Sequence, residues 1–332
     1  MKRILILIAI ITLVTGSLFA EEAVLIDFTL LAADMDSDNG TARQNEHTLM
    51  DFSRNPRFVG SFTQEQKDVM KTSLAIENWE VLLASSAQTV TNMTRSFTRE
   101  AESKEHGTVM GVRIHFPVEP HNSWAVIKPP FEIPAFEPAG DDSDGINGPS
   151  RFEEGYGVIK NVGTIKSIAV NVYGLNFPHR LLTLIIDRDG NQKKMEMGFL
   201  NFDGWGQLIW ENPAYIQEVR NRDLRLYPLY PEAMPFIKFA GFEIQRDASK
   251  VGGNFITYFK DVNVIYDKAV LDTERDIDDE GLWHIIQDRE NARKTWEMER
   301  FGQNQILRYL ESEKQAKEPA FNSPDRESQQ DD

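Results

Sequence analysis

The chain has 332 residues, no cysteine, and 52 acidic against 36 basic residues, a formal charge of −16. Without cysteine there is no thiol nucleophile, no disulfide framework and no zinc–thiolate centre, and the acidic surplus disfavours nucleic acid as a partner. A chain of this length closes a full hydrophobic core without covalent staples.

Lys2 and Arg3 precede the apolar run Ile4 to Val14, and Thr15 to Ala20 form a small or polar close. That order matches a secretory signal peptide, residues 1–20, cleaved after Ala20. The apolar run is shorter than the about 20 residues that span a bilayer, and no later run approaches that length. The expectation is an exported chain without a membrane anchor, since a lipid anchor would need a cysteine. Loss of residues 1–20 leaves 34 basic and 52 acidic residues, a formal charge of −18. Such a surface repels polyanions and anionic lipid and points to a protein or sugar partner.

From Ile26 to Leu30, apolar Ile26, Phe28 and Leu30 alternate with Asp27 and Thr29, the period-2 pattern of a half-buried strand. Asp34, Asp36 and Asp38 alternate like the first ligands of a calcium loop. Gly40 falls one place late, however, and Glu46 misses the bidentate position, so a solvated acidic loop is preferred. Thr63 with Gln66 three residues on is a capping box, predicting a short amphipathic helix that carries Val69, Met70, Leu74 and Ile76 and packs on a sheet. Val112, Ile114 and Phe116 alternate with Arg113 and His115 as a further strand. Seven of the 15 prolines lie between Pro117 and Pro149, where extended edge segments and loops are expected, with the acidic run Asp141 to Gly148 as the most mobile part.

Ile168, Val170 and Val172 mark the next strand. The run Leu181 to Ile186 suggests a central strand, and Asp189-Gly190 can supply the φ > 0 residues of a tight hairpin turn, with Met195 to Leu200 returning antiparallel. Phe242 with Ile244, then Val262, Val264 and Tyr266, close the series. Near the C-terminus Leu282, Ile285, Ala292, Trp296, Ile306 and Leu310 fall on one stripe of a helix from about Asp279 to Ser312, roughly 50 Å long. Residues after Glu313 read as a disordered acidic tail. The organisation is a signal peptide (1–20), a β-sandwich domain (21–272), a helical segment (273–312) and a tail (313–332).

Catalytic motifs are missing from the sequence: it has no G-x-x-x-x-G-K-[ST], no G-x-S-x-G and no G-x-G-x-x-G. The six histidines include no H-x-H or H-x-x-x-H pair, so none proposes a local metal clamp. No catalytic residue, cofactor or metal ligand is expected, and proximity of carboxylates for glycoside chemistry cannot be read from sequence. Trp205 and Trp210 flank the turn Asp203-Gly204-Trp205-Gly206. An exposed indole there could stack on a sugar, the basis of a reading as a periplasmic carbohydrate-binding protein; alternatively one or both indoles fill the core. Arg220, Arg222 and Arg225 form the densest arginine cluster, suited to interface carboxylates or to local pairing with Glu218 and Asp223.

Several longer segments are more specific: Ile159-Lys-Asn-Val-Gly-Thr-Ile-Lys-Ser-Ile168, Val172-Tyr-Gly-Leu-Asn-Phe-Pro178, Phe202-Asp-Gly-Trp205, Asn212-Pro-Ala-Tyr-Ile-Gln-Glu-Val-Arg-Asn-Arg222, Leu226-Tyr-Pro-Leu-Tyr-Pro231 and Gly252-Gly-Asn-Phe-Ile-Thr-Tyr-Phe-Lys-Asp-Val262. In these the chain resembles the outer-layer (sheath) proteins of spirochaete periplasmic flagellar filaments, from about Val24 to Ala269. The resemblance implies a non-enzymatic subunit in the periplasm that coats a core of flagellin subunits, contacts other copies of itself and other sheath proteins, and contributes to filament shape, stiffness and motility. It also implies a jelly-roll, galactose-binding-like module. The expected fold is therefore mainly β, a jelly-roll β-sandwich with a short helical insert and a long C-terminal helix. Such a coat needs heterologous contacts, for which the loops of Pro117 to Pro149, the segment Arg220 to Pro231 and the terminal helix are candidates.

Overall fold

The computed structural model describes residues 20–34, 44–54, 62–136, 151–223, 235–269 and 279–317. The run before Ala20 expected to be a signal peptide, Asp36, Asp38, the acidic run Asp141 to Gly148, Arg225 and the tail after Lys317 lie outside the described residues.

Fourteen strands are described. They are β1 (Glu21–Asp27), β2 (Met50–Asp51), β3 (Lys71–Thr72), β4 (Glu80–Leu83), β5 (Phe97–Ser103), β6 (Gly107–Phe116), β7 (Ser123–Lys128), β8 (Val158–Lys160), β9 (Val162–Leu175), β10 (Arg180–Asp187), β11 (Gln192–Phe199), β12 (Asp203–Glu211), β13 (Phe236–Arg246) and β14 (Gly253–Lys268). The α-helices are α1 (Gln64–Val69), α2 (Val90–Thr94), α3 (Tyr215–Asp223), α4 (Asp279–Trp283) and α5 (Ile285–Lys317).

Two six-stranded antiparallel sheets form the expected sandwich. The first runs β12-β9-β14-β6-β5, the second β11-β10-β13-β7-β4. Each is built on one long strand whose second edge is shared by two shorter ones. β14 takes β6 along Gly253 to Phe259 and β1 along Asp261 to Tyr266; β13 takes β8 along Phe236 to Lys238 and β7 along Phe242 to Arg246. The sheets meet through aromatic rings: Phe242 stacks on Phe259 with centroids 4.1 Å apart, and Phe28, Trp79 and Phe239 pack around them in edge-on and tilted contacts. Each such ring pair contributes about 0.5–1.5 kcal/mol beyond its buried area.

The alternating patterns fold as their period demands. Val112, Ile114, Phe116, Ile168, Val170, Val172, Val262 and Val264 are buried, while Arg113, His115, Ala169 and Asn171 face outward. β10 is an interior strand with Leu181 to Ile185 all buried. At one place β13 cannot keep pace with β10: Gly241 opposes Leu184 and Phe239 opposes Ile185, leaving Ala240 as a bulge. Gly241 has φ 131° there, and a β-carbon on it would overlap the carbonyl oxygen of Ile127, so the bulge and the close approach of β7 both require glycine.

Several expectations change. The predicted strand through Leu30 ends at Asp27, whose carboxylate accepts from the Thr29 amide (2.9 Å) and hydroxyl (2.8 Å). This local bond turns the chain into a 3-10 helix, Phe28–Leu31, and the inward pair becomes Phe28 and Leu31 with Leu30 exposed. The capping box forms, Thr63 N–H to Gln66 Oε1 at 3.0 Å and Gln66 N–H to Thr63 Oγ1 at 3.4 Å, but α1 ends at Val69. Met70 reaches the core as the C-cap of α1, and Leu74 and Ile76 from an extended segment and a 3-10 turn rather than from a helix face. In the β10–β11 connection only Gly190 takes positive φ, 80°. The Asp187 carboxylate accepts from the amides of Asp189 and Asn191, closing a loop wider than a two-residue turn. Within the proline-rich stretch, β7 is an interior strand because its own residues contain no proline; Pro117, Pro120, Pro129 and Pro130 flank it.

The terminal helix is interrupted at His284, φ 49°, and α5 runs past Ser312 to Lys317. It crosses the outer face of the second sheet in a different phase from the expected stripe. Ile306 is buried and Leu310 partly so, but Leu282 and Ala292 are exposed and Trp296 is 60% exposed. The docked residues are Glu297, Phe301 and Ile306. What the sheet offers explains the phase: Lys238, 2% exposed on the outer side of β13, lies 2.8 Å from Glu132 and 4.8 Å from the Phe301 ring centroid, so it selects a π face rather than an aliphatic ridge. Arg300 also pairs with Glu132, and Arg308 bonds the Pro130 carbonyl and the Glu80 carboxylate.

Candidate functional site

Trp205 and Trp210 are five residues apart on β12, and strand alternation puts an odd separation on opposite faces. Trp210 packs against the core. Trp205 lies on the outer face, half-buried against His106 and Tyr173, so the core alternative is realised for Trp210 alone. On the outer face Trp205 begins a row that crosses the whole first sheet in register: Trp205 opposite Tyr173, Tyr173 opposite Tyr258, Tyr258 opposite Gly111, Gly111 opposite Arg99. A β-carbon on Gly111 would lie 3.2 Å from two ring carbons of Tyr258, so the bare backbone gives that ring its seat. Arg99 and Arg113 lie against the Phe97 ring at 5.3 and 5.9 Å.

This row limits what the face can bind. Trp205 meets His106 at 4.7 Å and 87°, and Tyr173 at 5.4 Å and 79°; Tyr173 meets Tyr258 at 80°. Edge-to-face packing satisfies the ring quadrupoles internally, but it provides no coplanar platform along which successive sugars of an oligosaccharide could stack.

The other sequence-level candidates disperse. Arg220 is exposed on α3, and Glu218 accepts from Asn212 Nδ2 (3.1 Å); the side chains of Arg222 and Asp223 lie outside the described residues. Asp34 accepts from the Glu46 amide at 2.6 Å. Among the described residues no three His, Asp or Glu side chains converge as a metal site.

Sequence reasoning missed one buried polar knot. Arg246, 2% exposed, donates to three carbonyls, those of Pro117, Glu119 (2.8 Å) and Lys250 (3.1 Å), and so ties the β6–β7 and β13–β14 loops together. His179 is 3% exposed in a box of Phe116, Phe177 and Phe255. Burial, and secondarily the charge of Arg246, lower its pKa from 6.5 to about 4. Among the described residues its Nδ1 has no hydrogen-bond partner. Both groups serve the scaffold, and their long-range partners left no local signal in the sequence.

The model of the flagellar filament outer layer protein FlaA family matches residues 41–275, more than two thirds of the chain. The flagellar filament outer layer protein of Treponema pallidum is 45% identical over 97% of this chain and 96% of its own length. The protein of that name from Spirochaeta aurantia is 47% identical over 91% and 90%, and that from Borreliella burgdorferi 34% identical over 83% and 78%. Among solved structures, a family 11 carbohydrate-binding module of Clostridium thermocellum covers 60% of this chain and 91% of its own at 10% identity and a TM-score of 0.26, an overlay too loose to bear on ligand or fold. With relatives matched along nearly their whole length and a family model spanning both sheets, the chain belongs to the flagellar filament outer layer protein family.

Proposed function

We propose that the protein is a structural subunit of the outer sheath layer of the periplasmic flagellar filament, coating the flagellin core and contributing to filament shape, stiffness and motility. The observation that carries this reading is the near full-length match to two relatives named for that layer. The periplasm as its compartment rests on the N-terminal export signal read together with the likeness to spirochaete filament outer layer proteins. Partners would be flagellin subunits on one side and further sheath subunits on the others. A rigid two-sheet body suits the role, since stiffness needs subunits that do not deform under load. The edge-to-face setting of Trp205 argues against the carbohydrate-binding alternative.

Deleting the gene is expected to leave thinner filaments by electron microscopy, with the protein missing from purified filaments, and impaired motility. Filaments of unchanged diameter would overturn the reading.

A further inference from the structure

The main paths of the two sheets end on four strands, and three of these differ from the fourth in how they are guarded. On the second sheet, β4 is only four residues long, with Glu80 engaged by Arg308 from α5. β11 carries exposed Lys193 and Lys194 and is broken by a register shift between Leu181 and Leu182 of its partner. Short length, lysines and bulges are the devices that stop an edge from recruiting another chain. On the first sheet, β5 carries Arg99 and two glutamates, charges that do not close the edge but admit only a strand of complementary pattern. β12 has none of these protections. Its nine residues pair with β9 from Asp203 to Glu211 without a shift, it contains no proline, lysine or arginine, and Gly204 to Trp210 is uncharged in a chain that is 27% charged. Ile209 is 52% exposed on it. Among the described residues, no backbone group of β12 bonds any element other than β9.

We propose that β12 is a joint between copies of this chain, its open edge pairing with the β5 edge of the next copy so that the first sheet continues from subunit to subunit. This rests on the sheath reading and names the contact that reading requires. Charge and direction select β5 as the counterpart. Each neighbouring pair across the first sheet is antiparallel, so β12 and β5, four steps apart, run the same way. Joined head to tail with the outer face kept outward, they lie parallel. Asp203 then comes to the end of β5 where Arg95 and Arg99 are exposed, and Glu211 to the end with exposed Lys104. Neither Arg95 nor Arg99 has a carboxylate partner among the described residues. A two-fold β12–β12 pair centred on Gln207 would instead set Asp203 against Glu211 at both ends, and it would close rather than propagate.

The native absence of cysteine makes a clean test. In cells producing Gln207→Cys and Ala101→Cys chains together, isolated filaments treated with a short bismaleimide should give a covalent Q207C–A101C dimer, with none from Lys193→Cys as the control position. Arg99→Glu or Asp203→Arg alone should lower the yield roughly twofold to fivefold, the range of one exposed ion pair, and the double exchange should restore it. A Q207C–Q207C product, or no dimer in filaments that retain the full coat, overturns the joint and leaves the sheath reading standing. Unchanged filament diameter on gene deletion overturns the sheath reading itself.

Discussion

Acidification should destabilise this protein through His179 by an amount that one substitution isolates. In the unfolded chain the imidazole titrates at 6.5; in the fold, burial first and Arg246 second hold it down at about 4. Between those values the unfolded chain binds a proton that the folded chain refuses, so stability is complete above pH 6.5 and is lost as the pH falls toward 4. Each pH unit in that window is worth about 1.4 kcal/mol, so the cost is about 2 kcal/mol at pH 5 relative to pH 8 and about 3 kcal/mol once pH 4 is reached. His179→Phe keeps the ring in its box of Phe116, Phe177 and Phe255 and forfeits no hydrogen bond at Nδ1. At pH 8 the variant should therefore unfold in urea within about 1 kcal/mol of the parent, and its advantage should grow by about 2 kcal/mol by pH 5. Other groups that titrate in both proteins cancel in the difference. Urea unfolding followed by tryptophan fluorescence at pH 8, 7, 6 and 5 measures it. A difference that stays flat across those pH values, or an NMR titration placing His179 above pH 6, would refute the reasoning.

Arg246→Met should cost about 2–4 kcal/mol, because three inward carbonyls lose a charged donor while the burden of a buried charge is removed. The same variant should raise the His179 pKa yet leave it below 6.5, since burial, the larger cause, is untouched; NMR titration reads both statements. Gly241→Ala should cost about 3 kcal/mol or more by urea unfolding, from positive φ together with overlap on the Ile127 carbonyl. Gly190→Ala, with φ 80° and nothing near its β-carbon, should cost only about 1 kcal/mol, and equal losses at the two sites would contradict the bulge argument.

The strands that were legible beforehand share a property: their apolar residues alternate without a local competitor. Ile26 to Leu30 also alternates, but the Asp27 carboxylate satisfies the Thr29 amide and redirects the chain. The capping box at Thr63 and Gln66 was readable because it is closed within three residues. The helix stripe was misread for the opposite reason. Its phase depends on Lys238 and Glu132, which are far from α5 in sequence, and apolar periodicity alone weights Trp296 as core when it is exposed. For the tryptophans, the separation of five already implied opposite faces, but which face turned inward depended on the pairing of β12 with β9.

By itself the sequence determined the N-terminal apolar run that reads as an export signal, the absence of thiol chemistry, the mainly β pattern, and the long segments shared with flagellar filament outer layer proteins, because each of these is written in composition or in residues a few positions apart. Tertiary structure alone decided which indole is outward, why Gly241 is needed, how Arg246 and His179 are buried, and that β12 is the unguarded edge. Those outcomes depend on partners brought together across the chain. Which strand is left at an edge depends on how all the others pair.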